Sequence, residues 1–105
     1  MSDTAVLPDV DEQTERKILP PYHVILLNDD FHSMQFVVAV IQKVFGYNQE
    51  RSVKLMLKVH EQERAIVWTG SKEVAELKQD QVQTFRESKG GTDLGPIGVV
   101  IEPAE

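Results

Sequence analysis

Residues 22–105 read as one small α+β domain, with three strands and three helices in the order strand, helix, helix, strand, helix, strand, behind an N-terminal arm of residues 1–21. Three observations predict this class. Short apolar or β-branched runs stand at Tyr22–Leu27, Ala65–Trp68 and Ile97–Ile101. Apolar residues recur at helical spacing after each of Ser33, Asn48 and Ser71. The chain has 105 residues, 27% charged and 41% hydrophobic, which is the size and balance of a single globular unit. Such a pattern suggests one small sheet under one layer of helices.

The arm contains Asp3, Asp9, Asp11, Glu12 and Glu15, with prolines at 8, 20 and 21 and few apolar residues. It cannot bury enough surface to offset its ordering entropy, so it is expected to be flexible. Pro20-Pro21 stiffens the boundary. Tyr22–Leu27 is a nearly continuous apolar run, the mark of a strand buried on both faces, and the turn-forming Asn28-Asp29-Asp30 ends it. From Ser33 the stripe Phe36, Val37, Val40, Ile41, Val44 predicts a helix, stopped by Gly46. Asn48 caps a second helix, to about Glu61, with Val53, Met56, Leu57 and His60 along one side. Ala65–Trp68 forms the second strand. Ser71 caps a third helix to about Glu87, with Val74, Ala75, Lys78, Val82 and Phe85 on one face and Gly90-Gly91 beyond it. The glycine-rich stretch Lys89–Pro96 reads as a mobile loop, and Ile97–Ile101 as a last strand closed by Pro103.

Composition removes several functions. The formal net charge is −6, which opposes a phosphate-tracking surface, so nucleic acid is not an expected partner. With no cysteine the chain has no disulfides, no thiolate catalysis and no Cys-ligated metal site. The longest apolar run, Phe36–Ile41, falls far short of the ~20 residues of a membrane span, and the acidic first residues do not resemble a signal peptide. The expectation is a cytoplasmic protein with no membrane partner.

The densest polar cluster is Asn28-Asp29-Asp30, at the handover from first strand to first helix, with His32 two residues on. Such residues build turns by accepting from nearby backbone N–H groups, and at a strand end they also form binding rims. His60 ends a helical stripe, which places it inward or at a rim. Asp29, Asp30, His32 and His60 are acceptable metal ligands, but no fixed spacing such as HExxH gathers them. No serine-nucleophile elbow or phosphate loop is present. Met34 and Met56 fall on neighbouring helices, and their flexible thioethers suit a pocket that closes around varied apolar side chains.

The string Tyr22-His23-Val24-Ile25-Leu26-Leu27-Asn28-Asp29-Asp30-Phe31, followed by Met34-Gln35-Phe36-Val37-Val38, resembles the bacterial Clp-protease adaptor family ClpS. The likeness continues, in order, through Val40–Phe45, Leu55–His60 and Glu73–Glu76 with Lys78. The resemblance implies a three-stranded antiparallel sheet carrying three helices, and an adaptor with neither catalytic residues nor cofactor. It implies that the protein binds substrates beginning with Leu, Phe, Tyr or Trp (N-degrons of the N-end rule) and delivers them to a Clp AAA+ unfoldase of the ClpA or ClpC kind. By motif position, Asn28, Asp29 and His60 would hold the substrate's α-amino group. Asp30 would help shape the entrance, Met34, Val37, Met56 and Ile97 would line the side-chain pocket, and Glu73 and Lys78 would mark the unfoldase-docking face; His32, which departs from the motif, would alter the pocket mouth. The arm resembles the family's flexible extension.

The chemistry is coherent. An α-ammonium offers three donors and a positive charge, and an Asn carbonyl, an Asp and a neutral imidazole nitrogen supply convergent acceptors. Three departures from the family pattern stand out. His32 replaces a small polar residue, Ser33 replaces the proline after it, and Glu61-Gln62-Glu63-Arg64 replaces a glycine-containing turn. The stretch from Lys89 to Gly95 is also longer than usual. A module of the same fold that docks an unfoldase but reads another peptide feature is the alternative.

Overall fold

A computed structural model describes residues 19–104. The expectation of a flexible arm falls, for residues 1–18, outside the described residues. The elements are β1 (Tyr22–Leu27), α1 (Met34–Phe45), α2 (Gln49–Gln62), β2 (Arg64–Gly70), α3 (Lys72–Gln83), β3 (Glu87–Lys89), β4 (Thr92–Gly95) and β5 (Gly98–Pro103). A three-stranded antiparallel sheet in the order β2-β1-β5 carries the three helices, and β3 and β4 form a separate hairpin.

The expected caps set the helix starts. Ser33 is extended, at φ −74° and ψ 153°, and its Oγ accepts from the Phe36 N–H. Asn48 Oδ1 accepts from Arg51 at 2.8 Å, and Ser71 Oγ accepts from Val74. Each satisfies a donor that the first helical turn would leave without a partner. Gly46, at φ 72°, ends α1 in the left-handed region.

Strand β1 is central, which explains its apolar run. Val24, Ile25 and Leu26 are all buried, and Val24 and Leu26 join Val40, Ile41, Val59, Ala75, Val82 and Val99 in the core. Between Val24 and Ile25 the pairing with β2 slips past Val67. A bulge leaves its extra residue out of the ladder, and the Tyr47 hydroxyl donates to the Val67 carbonyl at 2.8 Å.

Three expectations are corrected. Helix α3 ends at Gln83, not near Glu87, because the Thr84 hydroxyl donates to the Gln81 carbonyl at 2.7 Å and closes the last turn locally. Phe85 then turns back against the core from outside the helix. The stretch read as a mobile loop from Lys89 to Pro96 is largely the β3–β4 hairpin, whose turn uses Gly90 and Gly91 at φ 56° and 83°. Pro103 does not close β5 but belongs to it, opposite Tyr22; β5 is an edge strand, where the missing N–H costs no ladder bond. Pro21, counted with the arm, accepts from the Ala104 N–H at 2.8 Å and extends this edge.

The sheet register decides where a site can form. Leu27 stands opposite Arg64 on one side and Gly98 on the other. The end of β1, the start of α1, the end of α2 and the approach to β5 therefore meet at one end of the sheet.

Candidate functional site

At that meeting point lies a cavity of about 220 Å³. Its floor and walls are Val37, Met56, Val59 and Ile97, all buried, with Met34 at the lip, 47% exposed. Asn28, Asp29, Asp30, His32 and His60 complete the lining. Every residue expected to bind substrate thus borders one space. Val59 was not anticipated, although it follows Met56 by three positions and precedes His60, which puts all three on one side of α2. His60 is exposed on the last turn of α2, so of the two placements open to it the rim is the one adopted.

Asp29 first builds the turn. Its Oδ1 accepts from the Phe31 and His32 N–H groups at 2.8 and 2.9 Å, and its Oδ2 contacts His32 Nδ1 at 2.7 Å. Burial works against the ionised carboxyl, but these bonds from His32 and Phe31 outweigh it and hold the pKa below 3.8. A carboxylate charge is therefore fixed at the rim. Asn28 is held by its backbone N–H, which donates to the Glu63 carbonyl at 2.9 Å, and its Nδ2 donates to Glu63 Oε1 at 3.4 Å. The side-chain oxygen of Asn28 is left to accept. Glu63, at φ 71°, adopts the left-handed conformation that a glycine would supply more easily, at the turn where the family pattern has one.

His32 does more than border the entrance. Its Nε2 contacts the Gly95 carbonyl at 2.8 Å, its ring stacks on Phe36 at 5.2 Å, and its side chain is only 4% exposed. With a carboxylate on one ring nitrogen and a carbonyl on the other, only the doubly protonated ring donates to both. Burial lowers its pKa, yet the bonds to Gly95 and Asp29 and the charges of Asp29 and Glu87 more than offset this, leaving it above 6.5. Beside it, the Ser33 N–H and Oγ donate to Glu87 Oε1 and Oε2 at 2.9 and 2.7 Å.

The expected docking residues lie elsewhere. Glu73 is exposed in the first turn of α3, bordering a surface cleft with Leu19, Pro21 and Tyr22. Lys78 is partly buried, and its Nζ donates to the Val44 carbonyl at 2.8 Å, which satisfies an end group of α1. Among the described residues, no group of three or more His, Asp or Glu side chains is placed to hold a metal ion.

The cavity thus combines apolar walls with a polar rim on an α+β domain. Comparison with known proteins gives the family. The family described as "ATP-dependent Clp protease adaptor protein ClpS" matches residues 17–96. The ATP-dependent Clp protease adapter protein ClpS of Paraburkholderia xenovorans is 37% identical over 107 aligned residues, covering 95% of this chain and 99% of that protein. Its counterpart in Burkholderia mallei is 38% identical with the same coverage. The structure of Agrobacterium tumefaciens ClpS2 bound to L-phenylalaninamide is similar at a TM-score of 0.71 and 27% identity, covering 81% of this chain and 98% of that one. The chain belongs to the ClpS family of Clp-protease adaptors. Its family is one of adaptors, not of catalysts, and its partner is a Clp protease.

Proposed function

We propose that the cavity receives the first residue of a polypeptide carrying a free α-amino group and a large apolar side chain (Leu, Phe, Tyr or Trp), and that the protein hands such chains to a Clp unfoldase. The observation that carries this reading is the juxtaposition of an apolar floor, Val37, Met56, Val59 and Ile97, with an acceptor rim of Asn28, Asp29 and His60. At about 220 Å³ the cavity is smaller than the ~300–1,000 Å³ of sites for drug-sized ligands, which suits a single side chain. The ligand named for the similar Agrobacterium structure, L-phenylalaninamide, has a free amine, an aromatic side chain and an amide in place of the next peptide bond.

Selection follows from the two halves. Burying a Leu or Phe side chain contributes ~1.5–3 kcal/mol, and a charge-assisted hydrogen bond ~1.5–3 kcal/mol. Both are needed to offset the cost of association, so a ligand offering only one half is discriminated against, and the modest total suits a protein that must release what it carries. An internal Leu lacks the ammonium and gains only the first contribution. Glu73 and Lys78 on α3, away from the cavity, serve as the docking face for the unfoldase.

The test is titration of two Leu-initiated peptides that differ only in N-acetylation. The free peptide binds and the acetylated one does not, because acetylation removes the charge and two of the three donors. Equal affinities would overturn the reading.

A further inference from the structure

We propose that His32 and Glu87 are positioning residues that fix the β3–β4 hairpin against the cavity and so determine which large side chains its Ile97 wall admits. The inference rests on the peptide-binding reading above.

The hairpin has little of its own to hold it. Its strands have three and four residues and belong to a sheet separate from the main one. Residues 88–93 are all exposed. A two-stranded hairpin of this kind is marginal in water without outside support. The support is concentrated at its base. Glu87 and Gly95 face each other as the first pair of the hairpin, and each is bonded to one of two consecutive residues before α1. Glu87 takes both bonds from Ser33, and the Gly95 carbonyl takes the bond from His32. Further out, Lys89 Nζ reaches the Phe31 carbonyl only at 3.5 Å, and the Arg86–Asp93 pair at 2.9 Å is exposed. Two residues after Gly95 comes Ile97, 2% exposed and part of the cavity wall. The position of the hairpin base therefore sets where that wall begins. His32, Ser33 and the lengthened segment, which depart from the family pattern separately along the sequence, meet in this one contact.

The same geometry makes the latch sensitive to protonation. The titratable groups around His32 are Asp29 and Asp30 on the turn, Glu87 and Lys89 on β3, and His60 across the cavity on α2. When His32 loses a proton it keeps one donor. The bond to the Asp29 carboxylate is the charge-assisted and stronger one, so the proton leaves Nε2 and the Gly95 bond is lost. The turn survives deprotonation, and the hairpin loses one of its two base anchors. Rim and wall thus respond differently to pH.

The experiment uses the full chain with His32→Ala, Glu87→Gln and His60→Ala variants. Amide protection across residues 87–97, corrected for the intrinsic exchange rate at each pH, is compared at pH 6 and pH 9. Binding of free and acetylated peptides beginning with Leu, Phe, Tyr and Trp is read across pH as Trp-to-Leu ratios, in which the shared loss of α-ammonium charge above about pH 8 cancels. His32→Ala speeds hairpin exchange and changes the ratio of Trp to Leu affinity by about two- to tenfold, a part of what one hydrogen bond from a charged group supplies because only the difference between the two side chains senses the wall, while acetylated peptides stay unbound. Raising the pH of the unsubstituted protein and of His60→Ala produces the same change, and in His32→Ala the pH effect on the ratio disappears. Glu87→Gln keeps the acceptor for the Ser33 N–H and shows a smaller shift than His32→Ala. A uniform loss of affinity with an unchanged order of preference would make His32 merely structural and overturn the proposal. So would hairpin exchange indifferent to His32→Ala. Failure of the unsubstituted protein to bind any free-amine peptide overturns the binding reading, and the specificity role with it. Peptides bound with an unaltered ratio overturn the specificity role alone.

Discussion

Met34 stands on the first turn of α1 with its side chain at the cavity lip, 47% exposed. In the proposed binding mode a side chain there would lie beside the β-carbon of the first residue, leaving room for Leu or Phe but crowding the branch of Val or Ile. Met34→Ala is expected to raise Val and Ile binding relative to Leu by up to tens-fold, since one tolerated methyl group is worth about 1–3 kcal/mol. Its half exposure means that little core is lost, so melting temperature should change far less than for a buried methionine, where truncation costs ~2–5 kcal/mol. A peptide panel with a melting curve for each protein checks this; a large loss of stability with the preference order intact would assign Met34 to packing. At Glu63 the issue is backbone strain. Its φ of 71° disfavours any side chain with a Cβ, whereas its carbonyl bond to Asn28 needs only backbone. Glu63→Gly is expected to raise stability by at most about 1 kcal/mol, with peptide affinity nearly unchanged, measured by urea unfolding and peptide titration. A drop in stability would show that the weak side-chain bond to Asn28 matters more than the strain.

Among the elements, the turn after β1 and the β3–β4 hairpin are joined through titrating groups, and this gives a signed dependence of stability on pH. His32 has a folded-state pKa raised above 6.5, so its contribution is complete below that value and is lost as pH rises through the raised one. Asp29 has a folded-state pKa depressed below 3.8, so its contribution is complete above that value and is lost as pH falls through the depressed one. Unfolding midpoints measured across the pH range should therefore decline on the alkaline side, and His32→Ala should flatten that decline. An identical alkaline slope in both proteins would contradict the assignment. The helices themselves were legible from the sequence because their punctuation is local: Ser33, Asn48 and Ser71 cap within three residues and Gly46 stops within one turn. The hairpin was not legible, since Glu87–Lys89 and Thr92–Gly95 are mostly polar and exposed and show no alternation. Its order comes from bonds to His32 and Ser33, more than fifty residues away in sequence.

Across the whole molecule, the cavity is lined wholly by residues from Asn28 to Ile97, and Glu73 lies apart from it on α3. With the roles proposed above, recognition and delivery would be separable. A chain of 18 residues spans at most roughly 60 Å at ~3.3–3.6 Å each, a reach that would let residues 1–18 contact a neighbouring unfoldase while the domain stays docked. Deleting residues 1–18, which spares the Pro21 bond to Ala104, should leave peptide affinity unchanged and impair degradation of a Leu-initiated substrate by the assembled Clp protease. Undiminished degradation would contradict a role for the arm in delivery. Glu73→Arg should likewise spare peptide binding and weaken association with the unfoldase.

By itself the sequence determined the number and order of the main helices and sheet strands and the burial of the apolar strand Tyr22–Leu27, because caps and periodicity act over a few residues; the polar site residues were named only through the family motif. Only the tertiary structure decided that Asn28, His60 and Ile97 border one cavity with Val59, that His32 donates to both Asp29 and Gly95, and that Lys78 is tied to the end of α1. Those relations depend on a register in which Leu27 lies between Arg64 and Gly98. Strand register is fixed by burying one face of each strand against the helices, a choice made by the whole core at once and written in no single stretch of the chain.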